Sequence, residues 1–197
     1  MGATHSPRRA IGLLAAAATL LAVGAWQLGR TTETPDPSPS VASAPLADTG
    51  SRLVIDTVDL DVPLSVLVVE NRVVDPPDTE AAYLLANHGY PPSRSSEGTV
   101  FIALHAMSDG VSAPGNLLAN TDTRQPRLTV GDIVTADGVA YIVTEAYTAR
   151  KNVTRYDEAL WNPDTPNRLV ILTCLPNTSG RGHATHNVVI IAQHART

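Results

Sequence analysis

From residue 52 onward the chain alternates apolar and polar positions in short runs with a mostly two-fold period. Such alternation predicts half-buried strands at 52–55, 62–69, 73–74, 99–104, 128–130, 133–134, 139–144, 169–173 and 187–192. Glu70-Asn71, Gly131-Asp132 and Asp137-Gly138 punctuate these runs, and Asp-Gly is a strong signal for a two-residue hairpin turn. Helical periodicity is confined to three short stretches, 81–86, 116–119 and 156–161. Many short strands joined by hairpins, without a strand–helix–strand rhythm, predict an all-β domain, a mostly antiparallel barrel or sandwich. No internal repeat is present.

Upstream the pattern changes. Residues 10–28 form an apolar stretch interrupted only by small residues, Thr19 and Gln27, with Arg8 and Arg9 before it. Nineteen residues can cross a bilayer as a helix, and basic residues on the leading side orient the 1–9 tail to the cytoplasm and everything downstream outside. A signal peptide cleaved near Val23-Gly24-Ala25 is the alternative reading, and it also exports the body of the chain. Residues 29–50 are rich in Pro, Ser, Thr, Ala and Asp, a composition that cannot bury enough surface to fold and reads as a flexible linker. The remaining residues, 51–197, suffice for one domain with its own core. A formal charge of −5 without a basic stripe excludes a nucleic-acid-binding surface.

Candidate chemistry centres on Cys174, the only cysteine of the chain, at the end of the apolar run 168–174. An exported lone thiol is buried, paired between molecules, or kept for reaction. His105 closes the run 99–104 in the same way and opens a loop containing Asp109. A nearby imidazolium lowers a thiol pKa and so creates a nucleophile, but strand ends 69 residues apart need not meet. Catalytic and structural readings of both residues therefore stay open. His183 and His186 lack the Cys or acidic neighbours of a tetrahedral metal site and read as loop residues, so no metal is expected. His88, His194 and His5 read as loop, tail and cytoplasmic residues, Asp109 as a turn residue or a partner of His105, and Trp161 as core packing.

At these residues the chain resembles the sortases, exported cysteine transpeptidases of Gram-positive bacteria, over about residues 52–192. Leu172-Thr173-Cys174 resembles their Thr-Leu-x-Thr-Cys motif, Ala103-Leu104-His105 their Gly-His motif, and 187–192 their closing strand. Ala113-Pro-Gly-Asn116 is similar to the helix opening after the histidine in actinobacterial members. The resemblance implies a closed eight-stranded β-barrel with a few short helices, with Cys174 as nucleophile and His105 as general acid. It implies substrate contacts at Thr173, Ala103 and Asn116, and no cofactor. Implied partners are exported proteins bearing a C-terminal sorting signal, an amine acceptor in cell-wall precursor or pilin, and the membrane through the N-terminal helix. The chain departs from the pattern at Thr185, where the family carries arginine, and Arg181 is the nearest candidate for the missing cation. An inactive sortase-like binding or assembly module and a cysteine hydrolase are the alternatives.

Overall fold

Alternating apolar positions need a second surface to bury against, and here the strands find it by curling into a barrel. The computed structural model describes residues 50–70, 73–108, 112–177 and 183–195. Its strands are β1 (Arg52–Ile55), β2 (Leu60–Leu67), β3 (Ala82–Leu85), β4 (Thr99–Leu104), β5 (Ala119–Asn120), β6 (Gln125–Pro126), β7 (Ile133–Ala136), β8 (Val139–Arg150), β9 (Arg168–Leu175) and β10 (His186–His194). Eight of them close in the order β1-β2-β3-β4-β9-β10-β8-β7, while β5 and β6 form a separate two-stranded sheet. Closure comes from β1 against β7, with Leu53 opposite Ala136. Two ladders, β2/β3 and β4/β9, are parallel and the other barrel pairs are antiparallel. Asp137 and Gly138 form the β7–β8 hairpin with φ of 49° and 75°, the left-handed pair that a two-residue turn requires.

One apolar cluster fills the barrel, including Leu53, Ile102, Leu104, Val134, Ile171 and Ile190. A second lies on the outer face of β3, β4 and β9, where Tyr83, Phe101, Ala103, Val170 and Leu172 pack with Leu160 and Trp161. β4 is therefore buried along its whole length. This explains why its sequence and that of β9 read as unbroken apolar runs, since strands covered on both faces lose their alternation.

Arg168 fastens the cover over that outer face. This buried side chain donates from Nη1 to Ala159 O (2.9 Å), from Nη2 to Leu160 O (3.1 Å) and Asn162 O (2.6 Å), and from Nε to Thr99 Oγ1 (3.1 Å). Burial pulls its pKa below the ordinary guanidinium value, yet four oxygens accept from four of its five N–H groups. Arg168→Met should therefore orphan several partly buried carbonyls and lower unfolding free energy by roughly 3 kcal/mol, measured by urea denaturation.

Several sequence expectations need correction. Residues 82–85, expected within a helix, are strand β3, held by β2 on one side and β4 on the other. A short apolar run has no periodicity that separates a buried strand from a helix. The helix expected at 156–161 lies earlier, as α1 (Lys151–Tyr156) directly after β8, and 116–119 is a 3₁₀ turn spanning Pro114–Leu118. Residues 128–130 form no strand, and 73–74 contribute only an isolated bridge between Glu70 and Val73. The segments 1–9, 10–28 and 29–49 lie outside the described residues. Among those described, no helix is long and apolar enough to cross a membrane.

Candidate active site

The parallel ladder between β4 and β9 brings the thiol and the imidazole together. Its last pair is Leu104 with Thr173, so the next residues along the two strands are His105 and Cys174. Neighbouring strands run about 4.8 Å apart, and two residues leaving adjacent strands in the same direction emerge side by side. Both line one cavity of about 790 Å³. Cys174 is a free, half-buried thiol, and on its other side β10 sets Asn187 opposite it. At the far end of the same ladder Thr99 faces Arg168, so the hydrogen bonds of Arg168 pin the two strands that carry Cys174 and His105.

His105 is held from two directions. Its Nε2 lies 2.7 Å from Pro76 O in the β2–β3 connection, and its own carbonyl accepts the Gly115 N–H at 2.7 Å. Gly115 packs so closely on the strand ends that a Cβ there would stand 2.0 Å from Thr173 Oγ1 and 2.5 Å from His105 O. This is the physical reason for glycine in the segment Ala113-Pro-Gly-Asn116.

Of the expected substrate contacts, Thr173 and Ala103 line the cavity and Asn116 does not. Asn116 instead accepts the Met107 N–H (2.9 Å) and donates to Met107 O (2.8 Å), tying the loop after His105 to the 3₁₀ turn. Trp161 is buried as expected, stacked on Phe101 at 5.5 Å and donating to Thr154 O at 2.7 Å, but it also forms part of the cavity wall. His88 is no simple loop residue, since its ring meets both Phe101 and Trp161 within about 5 Å.

Arg181 and Asp109 lie outside the described residues. Thr185 is exposed, and its hydroxyl sits 2.9 Å from His186 Nδ1. Two cations that sequence reasoning missed, Lys151 and Arg155, line the cavity from successive turns of α1. Among the described residues neither is in an ion pair. The Lys151 N–H donates to Thr185 O at 3.0 Å, so this lysine continues the β8/β10 ladder directly across from Thr185. Their shared ladder position could have been found only from the pairing of β8 with β10. No group of three or more His, Cys, Asp or Glu suited to a metal occurs among the described residues.

The structure is thus a closed mixed barrel with a cysteine and a histidine at adjacent strand ends. No protein-family model and no curated protein matches the chain. Among solved structures it is similar to sortase A of Listeria monocytogenes, with TM-score 0.54, 14% identity, and coverage of 76% of this chain and 89% of that one. It is similar to a lid mutant of sortase A from Corynebacterium diphtheriae, with TM-score 0.54, 15% identity, and coverage of 79% and 73%. A point mutant of sortase C-1 from S. pneumoniae gives TM-score 0.55 and 16% identity, covering 77% and 68%. The chain has the sortase fold.

Proposed function

We propose that this chain is a sortase-type cysteine transpeptidase. The observation that carries the reading is the juncture of Cys174 and His105 at the end of the β4/β9 ladder, inside one cavity of a sortase barrel. Cys174 Sγ adds to the scissile carbonyl of a sorting signal and the C–N bond breaks. His105 gives its proton to the departing amine. The thioester is then attacked by an acceptor amine, which loses a proton to His105 as the new amide forms and Cys174 Sγ leaves as the thiolate, restoring the thiolate and the protonated imidazole. Thr173 and Ala103 contribute to the wall that the peptide meets. Arg181, which falls between β9 and β10 in the sequence, supplies the cation at the developing oxyanion, and Lys151 and Arg155 add positive charge from α1. Substrates are exported proteins with a C-terminal signal, and acceptors are cell-wall or pilin amines. Arg8 and Arg9 ahead of 10–28 support an exported catalytic domain tethered to the membrane.

The test is incubation of the domain with a library of pentapeptide signals, with and without a simple amine such as triglycine. A Cys174 thioacyl adduct seen by intact mass, resolved to the triglycine amide, is the expected result. Hydrolysis alone with no amide product would instead indicate a cysteine hydrolase. A second reading, a non-catalytic exported binding module, is favoured by one feature: Thr185 stands where the resemblance expects arginine and faces His186. No adduct with any peptide, together with identical pH profiles for iodoacetamide alkylation of wild type and His105→Ala, would establish that second reading over the first.

A further inference from the structure

We propose that Asp78 and Tyr83 are positioning residues that hold the Pro76 carbonyl against His105 and so fix which imidazole nitrogen exchanges the proton. The inference rests on His105 being the proton donor proposed above, and it assigns the β2–β3 connection a part in that step.

A carbonyl oxygen only accepts hydrogen bonds, so the 2.7 Å contact with Pro76 O requires His105 Nε2 to carry a hydrogen. In the neutral ring the lone pair is then at Nδ1, and in the imidazolium the proton that can leave is the one on Nδ1. Donation to the departing amine removes the Nδ1 proton and leaves the Nε2–H tautomer, which is the form the Pro76 carbonyl already accepts from. In the second half-reaction Nδ1 takes a proton from the incoming amine. The Nε2–H···O bond persists through both steps, so no ring flip interrupts the cycle.

This arrangement needs a carbonyl that does not wander, and the β2–β3 connection is built for that. Pro76 has a fixed φ, and Pro77 after it restricts Pro76 to extended backbone. Asp78 then anchors the segment: Oδ1 accepts the N–H groups of Glu80 (2.9 Å) and Ala81 (3.2 Å), and Oδ2 accepts the Tyr83 hydroxyl (2.5 Å). The Tyr83 ring is fully buried in the outer cluster, and Tyr83 pairs with Ala103 two residues before His105. A closed circuit results, from His105 through Pro76, Asp78 and Tyr83 back to the strand that carries His105. Burial raises the Asp78 pKa, but the bonds from Tyr83, Glu80 and Ala81, with the charge of His105, outweigh it and hold the carboxyl below its ordinary value. Burial first, and then the bond to Asp78, push the Tyr83 hydroxyl the other way, so it remains a donor.

Long-range ¹H–¹⁵N correlation of the His105 ring in the labelled domain, without substrate, reads the tautomer directly. In its neutral ring, wild type should show the Nε2–H tautomer alone. Asp78→Ala loses three bonds and should give a mixture of tautomers, with kcat lowered about 10-fold and KM changed less than about two-fold. Tyr83→Phe keeps the buried ring and should move both readouts in the same direction, and it carries the test alone if Asp78→Ala does not fold. Folded variants that retain one Nε2–H tautomer and wild-type kcat overturn the proposal. A fixed tautomer lost in the variants of a protein that forms no thioester supports the positioning role and sinks the transpeptidase reading instead.

Discussion

Cys174→Ala should abolish the thioacyl adduct and lower kcat/KM for a cognate signal peptide by about 10³-fold or more, with the barrel still folded. The chain has one cysteine, so no second thiol can take over. Removing a half-buried thiol leaves the backbone of β9 paired on both sides, with β4 and with β10, and costs little packing. Intact mass after incubation with peptide, and a thermal melt of the variant, separate loss of chemistry from loss of fold. His105→Ala should fall by a smaller factor, about 10²-fold, because the thiol remains and only proton transfer is lost. A Cys174→Ala protein that processes peptide as wild type does would mean that the cavity acts without its thiol, and the transpeptidase reading would be wrong.

The strands that flank the site were legible because their residues left no other use for them. Runs 99–104 and 169–173 are too apolar for a surface and too short for a helix packed alone, and both became central strands. β3 was misread because Ala82–Leu85 is as compatible with a helix turn as with a strand, and only its two neighbours decide. Cys174 and His105 could be named from strand ends. Their adjacency could not, since a parallel pairing of strands 69 residues apart is set by barrel closure rather than by any local signal. The same limit hid Lys151, which becomes interesting only through its ladder position opposite Thr185, and Asp78, which reads locally as an ordinary turn former after two prolines. What a sequence hides is long-range pairing, and in this fold the site is made of it.

Gly115→Ala should lower kcat/KM by roughly 10²-fold and unfolding free energy by about 1–3 kcal/mol, although it adds a single methyl outside both strands. The new Cβ would stand 2.0 Å from Thr173 Oγ1, 2.5 Å from His105 O and 2.9 Å from His105 C, none of which is the far end of a flexible side chain. Thr173 is buried, and the His105 carbonyl is bound to the Gly115 N–H itself, so the 3₁₀ turn must back away from the ladder end. Retreat breaks the bond to His105 O and loosens the loop that Asn116 ties through Met107. The histidine then shifts relative to a thiol still fixed within β9. Urea denaturation measures the first effect, and single-turnover acylation at a temperature where the variant is fully folded measures the second. In Gly115→Ala/Thr173→Ala the overlap with the threonine hydroxyl is gone while the overlap with the His105 carbonyl remains. Part of the lost stability should therefore return without the rate. Recovery of both together would mean that the threonine contact alone matters and that the Gly115–His105 junction does not set the geometry of the site.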